Sequence, residues 1–220
     1  AIRTSSDNGS SWDNGTSGTT YYFNEVAYGD STFIAVGQNG RIYTSSDNGT
    51  TWSRSTWDGS SAHLTGLAYG NNVSIAVSSS NVIKSTDNGS NWTLKSSAVE
   101  VFDMGFGNRT VSSTAFVGVG EDGSVCYSSD ANPHLHGEEW SCVLTIVPDK
   151  KLYSIAYGNN KFIAVGESGT VIRSDNGTNW TENLSGNSNT SANLYSIAFG
   201  NDRFVAVGRY AVIVSTDNGD

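Results

Sequence analysis

The sequence predicts an all-β fold, a five-bladed β-propeller of four-stranded antiparallel blades with Asp-box hairpins, and two recurring patterns at one spacing carry that prediction. The first is a box, Ser-x-Asp-x-Gly-x-x-Trp, found at Ser5 to Trp12, Ser45 to Trp52 and Ser85 to Trp92. A degenerate copy runs from Ser128 through Asp130 to Trp140, a fifth is Ser174 to Trp180, and a truncated one is Ser215 to Asp220. Successive box aspartates, Asp7, Asp47, Asp87, Asp130, Asp175 and Asp217, lie 40, 40, 43, 45 and 42 residues apart, the size of one four-stranded blade. The second pattern ends in an aromatic and a glycine and occurs at Tyr28-Gly29, Tyr69-Gly70, Phe106-Gly107, Tyr157-Gly158 and Phe199-Gly200. Five copies mean five blades.

Each blade can be built strand by strand from these marks. The aromatic-glycine pattern ends the first strand. A continuous apolar run such as Phe33 to Gly37, Phe162 to Gly166 or Phe204 to Gly208 follows as the second, suited to a strand buried on both faces. A third strand precedes each box, as at Val171-Ile172-Arg173, and the stretch after each Trp supplies the fourth. The box is the turn between them. Asp-Asn-Gly tolerates positive φ and offers a carboxylate to backbone N–H groups, while the Trp returns to the blade as an apolar anchor.

Residues 1–220 are expected to form a single propeller domain whose ring closes by pairing of the N- and C-terminal segments. Ile2-Arg3-Thr4 repeats the role of Val212-Ile213-Val214, so there is one third strand more than five blades need. The surplus points either to a piece of a longer repeat protein or to a structural subunit that joins its neighbours through terminal strands, because unpaired strand edges invite exchange.

The box resembles that of the Asp-box, or bacterial neuraminidase repeat, family of β-propellers, and the resemblance covers essentially the whole chain. It implies a sialidase-like fold with the boxes at the blade periphery, away from the usual binding face. It implies little about activity, since propellers host unrelated functions. Similar sialidases carry an Arg-Ile/Leu-Pro motif ahead of the first box. None of the seven arginines here is followed by an apolar residue and Pro, so no catalytic residue is carried over.

Composition narrows the partners. With 21 Asp and Glu against 12 Lys and Arg, the net charge of −9 repels nucleic acid and anionic membrane surfaces. No apolar run is long enough for membrane insertion. Cys126 and Cys142 flank a turn-rich insertion where antiparallel strands can bring them face to face; a disulfide is expected, with two buried thiols as the alternative. Together with several Asn-x-Ser/Thr sequons, among them Asn14, Asn72 and Asn108, this places the protein outside the reducing cytosol, secreted or at the cell surface.

Candidate site residues lie in the loops opposite the boxes, which in propellers surround the channel mouth. Glu121, Asp122 and Glu167 bring carboxylates there, with Arg209 and Tyr210 nearby. The alternative for these acidic residues is ordinary solvated turn chemistry. Trp57, beside Arg54 and Asp58, is the one Trp outside the box series and suits stacking on a sugar; its alternative role is packing on its own loop. His134 and His136 in the insertion are better read as a decorated surface loop than as a metal site, and no cofactor motif is present. The reading is a non-enzymatic recognition module for a glycan or an extracellular protein. A glycoside hydrolase is the rival, because two carboxylates about 5–10 Å apart meet its geometric need.

Overall fold

The structure is a computed structural model that describes residues 2–15, 19–55, 57, 61–96, 100–110, 113–128, 140–182 and 190–215. The chain is an all-β, five-bladed propeller, without α-helix among the described residues, and its contacts divide it into two compact units, 1–97 and 98–220. In unit one, β1 (Ile2–Thr4) and β2 (Asp13–Gly15) form a two-stranded ladder. The first blade follows as β3 (Phe23–Gly29), β4 (Thr32–Gly37), β5 (Ile42–Ser45) and β6 (Ser53–Arg54), and the second as β7 (Gly66–Gly70), β8 (Val73–Val77), β9 (Val82–Ser85) and β10 (Thr93–Ser96).

Unit two holds the third blade, β11 (Val101–Thr110), β12 (Ser113–Gly120), β13 (Ser124–Ser128) and β14 (Trp140–Leu144). The fourth is β15 (Leu152–Gly158), β16 (Lys161–Gly166), β17 (Val171–Ser174) and β18 (Thr181–Glu182). The fifth is β19 (Leu194–Gly200), β20 (Arg203–Gly208) and β21 (Ala211–Val214), with three strands among the described residues where four were expected. Every sheet is a meander in which neighbours in sequence are neighbours in space.

Turn chemistry explains the meander. The two residues joining first to second strand both take left-handed φ at Asp30-Ser31, Asn71-Asn72, Asn159-Asn160 and Asn201-Asp202, the two-residue hairpin geometry that Asn and Asp tolerate best. Cys126 and Cys142 face each other across β13 and β14 and form the expected disulfide.

The boxes are hydrogen-bonded hairpin turns between third and fourth strands. In the second, the Asp47 carboxylate accepts the Thr51 backbone N–H at 2.9 Å and the Thr51 hydroxyl at 2.6 Å. Ser45 Oγ donates to Asp47 and accepts the Gly49 N–H, while Trp52 Nε1 donates to the Gly49 carbonyl at 3.0 Å. Asp7 and Asp87 have the same arrangement. The fifth box corrects the expectation: Asn176, not Asp175, makes these bonds, its Oδ1 accepting the N–H groups of Thr178 and Asn179 at 3.0 and 2.9 Å. This copy is one residue shorter between its Ser and Gly, which moves the next side chain into the acceptor position. Asp130 and Asp217 lie outside the described residues.

Burial of the box tryptophans depends on what stands beside them. Trp92 and Trp180 are 5% and 6% exposed within the unit cores, whereas Trp12, on the two-stranded β1–β2 ladder, is 58% exposed.

Blades within a unit meet through their first strands. The rings of Tyr69, Tyr157 and Phe199 stand where side chains on Gly29, Gly107 and Gly158 of the preceding blade would be. In unit two a buried polar relay adds to this contact. Asp103 accepts the Ser154 hydroxyl at 2.7 Å and the Ile155 N–H at 2.9 Å, and Ser154 Oγ accepts the Ile197 N–H at 3.3 Å. A register shift in β11 and in β15 aims Asp103 and Ser154 at the next blade.

Candidate functional site

At the end opposite the boxes, second and third strands are joined by short 3-10 turns over 38–40, 121–123 and 167–169, whose middle residues, Asn39, Asp122 and Ser168, take left-handed φ. The turns are tied to the segments entering the first strands. Glu167 N–H donates to the Lys151 carbonyl and Arg209 N–H to the Asn193 carbonyl of their own blades. Gly123 N–H donates to the Lys150 carbonyl and Ser168 N–H to Asn193 Oδ1, each at the entrance of the next blade. Loops of different blades thus share fixed positions in unit two.

Two features stand on this frame. The first is an aromatic ladder from the second residue of each first strand, Phe102, Tyr153 and Tyr195. Ring centroids are 6.2 Å apart between Phe102 and Tyr153, nearly parallel at 27°, and 5.3 Å apart between Tyr153 and Tyr195. Strand alternation explains the placement, since the preceding residues Val101, Leu152 and Leu194 are fully buried. Tyr195 at the end of the ladder keeps 51% of its surface exposed.

The second feature is charged. Lys151 Nζ donates to Glu121 Oε1 at 2.8 Å while its backbone N–H donates to Glu167 Oε2 at 3.4 Å, so one lysine is addressed by carboxylates from two blades. The hydrogen bond with Glu121 raises the Lys151 ammonium above its ordinary pKa; burial opposes the rise, and the charges of Glu121 and Glu167 add to it. Burial raises the Tyr153 phenol, and the neighbouring Glu167 charge raises it further. Both effects keep lysine cationic and tyrosine neutral at physiological pH.

The sequence-derived candidates divide between the units. Glu121 and Glu167 meet at Lys151. Arg209 stacks on Tyr210 at 5.4 Å, and Tyr210 stands almost fully exposed in the left-handed region. Trp57 of unit one is half-buried and packs on the core cluster of Ile34, Val36, Ile42 and Leu64. Arg54 is exposed on β6, paired with Tyr43, and Asp58 lies outside the described residues, as do His134 and His136.

Phe102, Tyr153, Tyr195, Lys151 and Asn193 were missed from sequence. A signal was present in the aligned aromatic-glycine patterns, where the residue five positions before the glycine is Asn24, Thr65, Phe102, Tyr153 and Tyr195 in turn, polar in unit one and aromatic in unit two. Among the described residues no group of three or more His, Cys, Asp or Glu side chains is placed to hold a metal ion, and no helix is long and apolar enough to cross a membrane.

No family model and no curated protein matches the chain. Solved structures do match at the level of fold. YCF48 bound to D1 peptide superposes with a TM-score of 0.69 at 18% identity, over 94% of this chain and 68% of that one. YCF48 from Cyanidioschyzon merolae gives 0.69 at 18% identity, over 96% and 74%. The computationally designed Ika8 protein gives 0.63 at 14% identity, over 87% of this chain and 57% of its own.

Proposed function

We propose that unit two is a recognition surface for an extended segment of a partner protein, seated across Phe102, Tyr153 and Tyr195. The aromatic ladder carries this reading: three linked rings on adjacent rigid strands, one of them half exposed, supply contact area at small entropic cost. Glu121, Lys151 and Glu167 supply polar contacts beside it, and Arg209 and Tyr210 extend the rim. The activity is binding, with no turnover assigned to the two glutamates that address Lys151. The fold-level likeness to YCF48 bound to D1 peptide supports a peptide as ligand. The disulfide supports an oxidising location, secreted or at the cell surface. The hydrogen-bonded boxes support membership of the Asp-box repeat family.

A glycan is the second reading, supported by Trp57, which is only half-buried and stands three positions along the chain from the exposed Arg54. One experiment separates the two. The protein is applied in parallel to a tiled peptide array and a glycan array, with Tyr195→Ala and Trp57→Ala variants alongside. Peptide signal that weakens by about 2 kcal/mol in Tyr195→Ala and is unchanged in Trp57→Ala is the expected result. Glycan binding lost in Trp57→Ala, with no peptide bound, overturns it.

A further inference from the structure

The third blade closes its outer hairpin with a covalent bond. In four boxes the tryptophan indole N–H donates to the box glycine carbonyl, Trp12 to Gly9, Trp52 to Gly49, Trp92 to Gly89 and Trp180 to Gly177. In the degenerate copy Ser128 and Trp140 stand 12 residues apart, where Ser45 and Trp52 stand 7 apart. There Trp140 Nε1 is buried with no hydrogen-bond partner among the described residues, and Ser128 Oγ accepts the Phe116 N–H of β12 at 3.1 Å. β13 and β14 are tied through Cys126 and Cys142, which stand directly opposite each other in the ladder.

The two sulfurs are reached unequally. Cys126 is 2% exposed on β13, whereas Cys142 is exposed on β14, the outermost strand of its sheet. An edge strand has ladder hydrogen bonds on one side only, so it is the strand of a blade that opens at least cost. These are the only two cysteines in the chain, so a thiol entering here has one bond to break and one sulfur open to it.

The segment after β14 is tied to the recognition surface. Thr145 N–H donates to the Gly123 carbonyl at 3.1 Å, and Gly123 N–H donates to the Lys150 carbonyl at 2.6 Å. A side chain on Gly123 would collide with the Val147 carbonyl, so residues 145–150 lie close against the turn that carries Glu121. Val143 and Val147 pack on the core cluster of unit two. The next residue, Lys151, donates to Glu121, and Tyr153 of the aromatic ladder is two positions further on. β14 and its disulfide therefore hold one end of a strap whose other end is the charged part of the surface.

We propose that Cys142 is a site of thiol–disulfide exchange with a dithiol, and that reduction there releases β14 and the 145–150 strap, separating Lys151 from Glu121. What the release controls rests on the reading of unit two as a recognition surface. A thiolate of the dithiol attacks Cys142 Sγ, the Cys126–Cys142 bond breaks, and Cys126 leaves with the electron pair and takes up a proton. The second thiol of the dithiol, deprotonated, then attacks its partner sulfur in the mixed disulfide. Cys142 is returned as a thiol and the dithiol becomes a cyclic disulfide. Two electrons and two protons have passed to the protein. The bridged form, with the surface assembled, is the one an oxidising location maintains.

Two sets of measurements on the full chain test this without a ligand. In the first, glutathione is added, free thiols are blocked with iodoacetamide, and the adduct is located by peptide mass mapping. Glutathione is expected on Cys142, with the blocked thiol on Cys126. In the second, amide hydrogen exchange is followed by NMR with and without dithiothreitol. Reduction is expected to speed exchange at Gly123, Thr145 and the β14 amides on the order of tenfold or more, with β8 and β16 unchanged. Lys151, released from Glu121, is expected to be acetylated several-fold faster by an N-hydroxysuccinimide ester. Glutathione on Cys126, or no adduct at all, overturns the proposal. So do unchanged rates at Thr145 and Lys151. Protection lost throughout β15, β16 and β17 also overturns it, since the disulfide is then a staple of the whole unit. A silent peptide array leaves positive results here standing, and failure here leaves a positive array standing, so the two readings fail separately.

Discussion

The box tryptophans share one sequence motif and differ in what surrounds them, and their energetics follow the surroundings. Trp92 is 5% exposed in the core of unit one, with its indole N–H on the Gly89 carbonyl at 2.9 Å. Replacement by Ala removes a buried ring and leaves a cavity, and is expected to cost about 3–5 kcal/mol in a urea titration. Trp12 makes the same bond to Gly9 but is 58% exposed, so Trp12→Ala is expected to cost less than about 1 kcal/mol. The box carboxylates set an acid-side dependence. Hydrogen bonds from Thr51 hold the Asp47 carboxyl at about 2, against an ordinary 3.8, and Asp7 is held equally low by Ser11. A carboxyl whose pKa is lower folded than unfolded stabilises the fold above 3.8, and that contribution fades as the pH falls toward 2. Melting temperatures measured from pH 5 to pH 2 should therefore drop in the parent and drop less in Asp47→Asn.

At the scale of strands, close approach of neighbours is what the fold depends on. A side chain on Gly158 would occupy the ring of Phe199, so Gly158→Ala is expected to destabilise by about 1–3 kcal/mol through overpacking. Gly200 stands at the same place in the repeat with nothing near it, and Gly200→Ala should leave the stability of the single chain within about 0.5 kcal/mol of the parent. Equilibrium unfolding of the two variants side by side checks this contrast. Asp103 is fixed by another kind of neighbour. Burial raises its carboxyl pKa while bonds from Ile155, Ser154 and Met104 oppose the rise, so these donors offset the cost of carrying a carboxylate between two strands. Its position suits a polar joint between sheets: the register shift ahead of it turns the side chain from its own ladder toward the next.

For the whole molecule, the excess of 21 acidic over 12 basic side chains sets the long-range field. Lys151 is matched by Glu121, so it adds little net positive potential to the aromatic ladder. A partner segment carrying cationic side chains beside an aromatic anchor is favoured, and its approach is screened by salt. Raising sodium chloride from about 0.05 to about 0.5 M is expected to weaken binding of such a peptide several-fold by slowing association, while an uncharged aromatic peptide changes little. Fluorescence anisotropy with the two peptides tests this directly.

The sequence by itself determined the repeat unit, the number of blades and the place of the described boxes between third and fourth strands, and it made a Cys126–Cys142 bridge the expectation over two buried thiols, which the structure then formed. Each of these rests on local chemistry: Asn and Gly take positive φ, apolar runs form buried strands, and residues on adjacent strands face each other. Glu121 and Glu167 were also legible, as charged residues in short glycine-flanked turns. Only the tertiary structure decided which side chains meet. It brought those two glutamates to Lys151, linked Phe102, Tyr153 and Tyr195, and gave Asn176 the bonds expected of Asp175. It also buried Trp92 while leaving Trp12 exposed, and laid a ring over Gly158 while leaving Gly200 open. In each of these pairs the local sequence is nearly the same. The difference lies in whether another sheet stands alongside, and the repeat, being alike at every turn, carries no record of that.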